Sequence, residues 1–225
     1  MHVRQLIAQA DPLEGVKGVI FDCDGVLVDS KDANRMYYNL VREKLGMLSM
    51  TPEEEKFVHA HAVAASIAHI VPVERLAEAE AARREIDFSA MLEYTYLEEG
   101  LVELLDALRD RGILLAVNTN RTDSMGILLE TFKLMNYFSP VITAGLVSHP
   151  KPNPEGVHRI LKDWNVTRFE VAYIGDTEVD EHAARAAGVP FWSYKNPTLA
   201  ARMHITSFDG LRRLFNSHGV AGGGK

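Results

Sequence analysis

The chain has a single cysteine, Cys23, among its 225 residues, so it cannot hold an internal disulfide framework and suits a reducing compartment. Basic residues are in the minority, 24 Lys and Arg against 31 Asp and Glu, which leaves a net charge of −7. That balance argues against a nucleic-acid surface and against docking on anionic membranes. An anionic ligand would have to be gripped by a few local cations. Long apolar runs are missing too. The longest weakly polar stretch, 62–71, contains His69 and is too short to span a bilayer. The first residues, Met-His-Val-Arg-Gln-Leu-Ile, meet Asp11 and Glu14 before any extended apolar segment, unlike a secretory leader. A cytoplasmic protein is expected. There is no internal repeat, and low complexity is confined to the end, where 219–225 is expected to be a disordered tail.

A chain of this length suits one sizeable α/β domain, or a core domain carrying a smaller insert. Short apolar runs rich in β-branched residues stand at Val19-Ile20-Phe21, Ile113 to Val117, Val141-Ile142 and Val171 to Ile174, with a fifth at Phe191-Trp192-Ser193. Each is bounded by polar residues or glycine, as buried parallel strands are. Helical patterns lie between them at 101–111, 124–134, 155–164 and 178–187. This alternation predicts a doubly wound parallel sheet with right-handed crossovers. The segment 31–96 breaks the alternation. It holds no convincing strand and reads as helices at 32–45, 52–70, 73–85 and 88–94, the second opened by Thr51 and Pro52. A helical block of this kind, inserted after the first strand, would be a lid over a core made of 1–30 and 97–218.

The residues just beyond each strand are more informative than the strands themselves. The first strand ends in Asp22-Cys23-Asp24-Gly25 and the second in Asn118-Thr119-Asn120. After the third comes Lys151-Pro152-Asn153-Pro154, and the fourth ends in Gly175-Asp176 with Asp180 close behind. Ligands of open α/β sheets bind outside the carboxyl ends of the strands, so these groups should converge on one crevice. Asp22, Asp24 and Asp176 cannot all be ionised at close quarters without a compensating cation. Donor atoms that are all oxygen favour a hard ion such as Mg²⁺. A cation beside Lys151 and Thr119 makes a receptor for a phosphoryl group, which an aspartate can attack to give a covalent intermediate. A second acid nearby can protonate the leaving oxygen and then deprotonate the hydrolytic water.

Taken in order, Asp22-Cys23-Asp24-Gly25-Val26-Leu27-Val28-Asp29-Ser30, Thr119-Asn120, Lys151-Pro152-Asn153-Pro154 and Gly175-Asp176 with Asp180 resemble the ordered motifs of the haloacid dehalogenase superfamily. The resemblance runs from about Lys17 to Tyr194. It implies that Asp22 is the nucleophile, Asp24 the general acid and base, and Lys151 a catalytic cation that also damps the charge on Asp22. Thr119, Asn120 and Lys151 would bind the substrate. Mg²⁺ would sit on Asp22, the main-chain carbonyl of Asp24, and Asp176, with Asp180 behind them. The segment 31–96 would be an α-helical cap. An acid at Asp24 implies phosphate esters, since departing halide needs no proton. Gly175-Asp176 and the run 183–189 resemble phosphoglycolate-phosphatase-type members, whereas Asp22 to Leu27 resembles the β-phosphoglucomutase type. Glu98-Glu99-Gly100 departs from the Pro-Gly that relatives usually carry at the second cap hinge.

The expected activity is therefore hydrolysis of a small phosphorylated metabolite, by a monomer or a dimer. A sugar-phosphate mutase and a non-catalytic phosphate-binding member of the fold are the alternatives. A receiver domain shares Asp, Thr and Lys on such a sheet, but would carry neither Asp176 nor a helical lid. Taken singly, each residue has a structural explanation: Asp-rich turns are common, Thr119-Asn120 could cap a helix, and Thr177 with Asp180 fits a capping box. Cys23 points away from Asp22 and reads as packing, like Trp164 and Trp192. Arg35, Tyr37, Tyr38, His59, His61 and His69 lie in the presumed cap. His61 and His69 are spaced to share one face of a continuous helix.

Overall fold

The computed structural model describes residues 13–122 and 124–218; the expected tail at 219–225 lies outside them. A six-stranded parallel sheet runs in the order β5 (Val141–Ile142), β4 (Leu114–Asn118), β1 (Gly18–Phe21), β6 (Val171–Gly175), β7 (Phe191–Tyr194) and β8 (Met203–Ile205). β1 lies at the centre because all four of its residues, Gly-Val-Ile-Phe, are buried between β4 and β6. The order reverses on either side of β1, so the switch point of the sheet falls at the end of that strand, where Asp22 stands.

Alternation along the strands builds two cores. Val19, Phe21, Val117, Ile174 and Trp192 face α5 (Leu101–Asp110) and α9 (Phe208–His218), with α6 (Met125–Thr131) at the same side. Ile20, Ala116, Tyr173 and Phe191 face the other way, towards α7 (Glu155–Trp164) and α8 (Glu178–Ala187). This is the three-layer arrangement that a parallel sheet needs to cover both faces. α8 starts in a full capping box, Thr177 accepting from the Asp180 amide and Asp180 accepting from Thr177.

Between β2 (Val28–Asp29) and β3 (Tyr96–Leu97) the chain leaves the sheet. It forms α1 (Lys31–Lys44), α2 (Pro52–Ala60), α3 (Val63–Ile70) and α4 (Leu76–Arg84), then a 3-10 helix at Phe88–Tyr94. Ala33, Tyr37, Val41, Ile67, Ile70 and Met91 belong to a core of its own. The two flanking strands pair antiparallel, so the segment leaves and returns through one ribbon. Sequence patterns overlooked this ribbon because each strand has two residues, too few for a period. The expected helix at 52–70 is in fact two. His61 and Ala62 take extended backbone, ψ 158° and 150°, at a point with no proline or glycine to announce a break. His61 and His69 therefore do not share one helix. Instead each ring stacks on Phe57 with centroids 3.8 Å apart. β8 and α9 had no counterpart among the expected elements; β8 is only three residues with one of them buried.

Leu104 is fully buried between the sheet and α9, whereas Leu114 opens β4 with 39% of its surface exposed. Leu104→Ala should cost about 2–5 kcal/mol of unfolding free energy, through lost burial and the cavity left behind. Leu114→Ala should stay within about 1 kcal/mol. Urea titrations of both variants check the contrast.

Candidate active site

The strand ends bring the expected groups together at the top of β1. Asp22, the first residue beyond β1, is held by its main-chain N–H to the Ile174 carbonyl and has 6% of its surface exposed. Lys151 arrives from the loop before α7. Its Nζ donates to Asp22 Oδ1 and to Asp180 Oδ1, both at 2.6 Å, and is itself buried. Asp180 has no surface exposure and both of its oxygens are engaged. Oδ1 accepts from Lys151 and from the Tyr173 hydroxyl, while Oδ2 accepts from the Thr177 hydroxyl and main-chain N–H. Asp180 is thus a helix cap and a lysine anchor at once.

Asp176 completes the acidic group: oxygens of Asp22, Asp176 and Asp180 lie within 4.8 Å of one another. This crowding is permitted by glycine. A Cβ on Gly25, which sits at φ +78°, would come 2.2 Å from Asp176 Oδ2, and one on Gly175 would come 2.3 Å from the Asp180 Cβ. With three carboxylates around one lysine, the charges do not balance. Burial, then the neighbouring Asp180, raise the Asp22 carboxyl to about 7. Burial and the same neighbours push Asp176 well above the usual range. For Lys151, burial works against the charge, but Asp180 and Asp22 outweigh it and hold the ammonium well above its ordinary pKa. Asp176 Oδ1 is buried without a hydrogen-bond partner. A buried orphaned carboxylate oxygen, an all-oxygen donor set and an excess of negative charge fit a small divalent cation.

Asp24 is turned away from this group. Its carboxylate accepts from Arg121 Nε at 2.8 Å and Nη2 at 2.6 Å, and from the Ser30 hydroxyl. Burial opposes ionisation of Asp24, but the Arg121 guanidinium overcomes it and holds the carboxyl below its ordinary value. From the sequence alone Arg121 is a flank of Thr119 that could touch a substrate, and nothing there pairs it, or Ser30, with Asp24. The partnership of Arg121 with Asp24 joins residues 97 apart, a distance that no local pattern reports.

Thr119 and Asn120 stand at the end of β4. Thr119 is buried and its Oγ1 accepts from the Arg121 main-chain N–H at 3.1 Å. Asn120 Nδ2 donates to the Lys151 carbonyl at 3.1 Å and to the Ala60 carbonyl of α2 at 3.2 Å, a direct bond between the sheet and the helical segment. Asp22, Asp24, Thr119 and Lys151 floor a cavity of about 40 Å³, and Tyr38 and His59 stand opposite them. Of the other residues singled out in the helical segment, His61 lines the same cavity, while Tyr37 is packed in that segment's own core. Arg35 faces elsewhere, pairing with Asp32 on a separate 680 Å³ groove. Cys23 and Trp192 are fully buried in the core, and Trp164 is half-buried with its indole N–H on the Ser139 carbonyl. Glu98, at the unusual hinge sequence, accepts from the Tyr194 hydroxyl at 2.9 Å and from Lys195 Nζ at 2.5 Å.

Known proteins resemble this chain over most of its length. The family of haloacid dehalogenase-like hydrolases matches residues 19–193. A phosphoglycolate phosphatase of Rhodobacter capsulatus is 29% identical over 210 residues, covering 87% of this chain and 94% of that protein. One from Pseudomonas putida is 29% identical over 180 residues, 76% of this chain and 66% of that protein. Among solved structures, a haloacid dehalogenase-superfamily hydrolase of subfamily IA from Geobacter sulfurreducens is 36% identical. It superimposes with a TM-score of 0.72 over 89% of this chain and 97% of that one. With the family match extending over most of the chain, and phosphoglycolate phosphatases among its relatives, this protein belongs to the haloacid dehalogenase-like hydrolases and is a phosphatase.

Proposed function

We propose that the protein is a magnesium-dependent hydrolase of small phosphate monoesters, of the phosphoglycolate phosphatase kind, acting through a phosphoaspartate on Asp22. The observation that carries this reading is the buried Asp22–Lys151–Asp180 chain at the end of the central strand, with the orphaned oxygen of Asp176 beside it. Lys151 and Thr119 take the phosphoryl oxygens, and Lys151 draws charge from Asp22 so that an anion can be approached. An Asp22 oxygen attacks phosphorus, the bond to the leaving oxygen breaks, and Asp24 gives that oxygen its proton. Water then attacks the phosphoaspartate, Asp24 takes a proton from it, and phosphate leaves with Asp22 restored.

The Arg121 guanidinium, which holds the Asp24 carboxyl below its ordinary value, favours the ionised form that the second step needs. In the first Asp24 carries a proton, and one oxygen has to come away from Arg121. Asp22 and Asp176, with the Asp24 carbonyl, would hold Mg²⁺. Asp180, whose oxygens are both engaged, would act behind them. The ion supplies positive charge against the phosphoryl oxygens. The segment 31–96 is the cap: its α2 reaches the cavity, and the bond from Asn120 to the Ala60 carbonyl ties its closure to the phosphoryl-binding loop. The names of the relatives favour a compact substrate.

Asp22→Asn keeps the shape and removes the attacking charge. Turnover of phosphoglycolate and of p-nitrophenyl phosphate should fall by about three orders of magnitude or more with the fold intact. Retention of even a tenth of the activity in the folded variant would exclude the covalent route.

Chelation should abolish hydrolysis and Mg²⁺ should restore it, with Ca²⁺ a poor substitute because its coordination is looser. Stability carries the same signature. In the metal-free protein Asp22 is raised above its unfolded value. The native state therefore binds the extra proton, and this group's contribution declines as pH rises from about 4 through about 7. A cation that replaces the proton should raise the melting temperature more at pH 8 than at pH 5.5. Thermal scans with and without Mg²⁺ measure this, and an equal shift at both pH values would count against an ion on these carboxylates.

A further inference from the structure

The roof of the catalytic cavity contains a hydrogen-bond donor with nothing to donate to. His59 is the penultimate residue of α2. Its Nδ1 lies 3.1 Å from Asn34 Nδ2 of α1. An amide nitrogen can only donate, so Nδ1 is the acceptor, and the neutral ring carries its proton on Nε2. Burial, the largest influence on this ring, favours the neutral form over the pull of Asp24. Nε2 is shut off from solvent and has no partner. A buried N–H left without an acceptor is destabilising, so one kept beside a reaction site is a candidate to meet a ligand.

The cavity fixes which part of the ligand that is. Lys151 and Thr119 lie on the sheet side, where the phosphoryl group would bind, and His59 lies across from them on the helical segment. The cavity as it stands, about 40 Å³, has room for about one or two waters, so an ester reaching Lys151 and Thr119 would displace the helical segment that carries His59. Asn120 Oδ1 is a second buried atom on this cavity without a partner, and it is an acceptor.

We propose that His59 is a specificity-determining residue, its Nε2–H donating to an oxygen that the leaving group carries on the carbon next to the ester carbon. The substrates it selects are short phosphate monoesters with a carboxylate or hydroxyl at that place, over esters with a bare alkyl group. Arg121 and Lys151 are held by carboxylates and the Tyr38 hydroxyl by Ser66, whereas the imidazole Nε2 is buried without a partner, which makes it the donor placed for this distinction. The two oxygen sources differ at Asn120: a hydroxyl can donate to its Oδ1 while accepting from His59, and a carboxylate cannot. This inference rests on the phosphatase reading for its substrates but names a contact that can be observed without turnover.

Phosphoglycolate, 2-hydroxyethyl phosphate and ethyl phosphate form a series of two-carbon esters whose second carbon is a carboxylate, carries a hydroxyl, or is a bare methyl. For His59→Ala, kcat/KM for at least one of the first two, divided by that for ethyl phosphate, should fall about tenfold, the equivalent of one hydrogen bond. His59→Gln, whose amide N–H extends to the region of Nε2, should recover much of the ratio, which simple loss of packing would not. A fall for phosphoglycolate alone identifies a carboxylate, and one for hydroxyethyl phosphate alone a hydroxyl. Ratios unchanged for both would overturn the proposal, because a contact to the phosphoryl group would weaken all three esters alike. The second measurement uses the inert Asp22→Asn protein with ¹⁵N-labelled histidine and Mg²⁺. The oxygen-bearing esters should move the His59 Nε2 resonance and ethyl phosphate should leave it in place. If wild type hydrolyses none of the esters yet the resonance moves, the proposed reaction fails and the contact stands. If the resonance is indifferent to all three, the contact fails whatever the turnover.

Discussion

Everything at the centre of this protein is arranged around one buried ammonium. Lys151 Nζ touches Asp22 and Asp180 at the same distance, and with Asp176 alongside it the group carries more negative than positive charge in a place from which water is nearly excluded. Removing one partner of a buried charge pair costs about 3–5 kcal/mol because the other is left uncompensated. Each member is therefore held by more than the lysine. Asp22 is fixed by the main chain of β6, and Asp180 is fixed by Tyr173 and by its capping box with Thr177. The requirement reaches the backbone as well, since Gly25 and Gly175 are the residues whose missing Cβ atoms let Asp176 and Asp180 come so close.

This explains why the fold was so legible at the site and less so around it. The strands that carry Asp22, Asn118 and Gly175 are buried on both faces and read as unbroken apolar runs, so their ends could be found from sequence. The groups beyond those ends then had to converge. Contacts made at long range by common residues could not be read. Arg121 reaches Asp24, Asn120 reaches Ala60, and Glu98 reaches Tyr194 and Lys195, and in none of them does spacing along the chain carry the signal. The helical segment was legible in kind but not in detail. A two-residue strand has no period, and the break between α2 and α3 is made by extended backbone at His61 and Ala62, residues that sit comfortably in a helical pattern.

Glu98 shows how a departure from a family pattern acquires a physical sense. Its main-chain N–H donates to the Leu27 carbonyl beside the ribbon, while its carboxylate is drawn to the end of β7. The neighbouring Asn196 donates to the main-chain carbonyl of Asp176 at 2.8 Å. The returning strand of the helical segment is thus secured to the same corner of the sheet that supports the acidic group. This chain anchors the hinge with an ion pair and a phenol, an attachment that leaves the backbone torsions freer than a proline ring would.

The Asp24–Arg121 pair is the remaining constraint, and it acts in the opposite sense to the lysine. Lys151 serves carboxylates that repel one another, whereas Arg121 meets one carboxylate with both arms of its fork and takes it out of that repulsion. The separation matters because Asp24 comes two residues after Asp22 and would otherwise add a further charge to the crowded group. Ser30, at the exit to the helical segment, donates to the same carboxylate. A displacement of that segment on its ribbon would pull on Ser30, and through it on Asp24. Asp24 is therefore connected to the helical segment, and Asp22 to the sheet. That division arises from where β1 ends: Asp22 is the last residue tied to the sheet, and Asp24 is already in the loop that leads out of it.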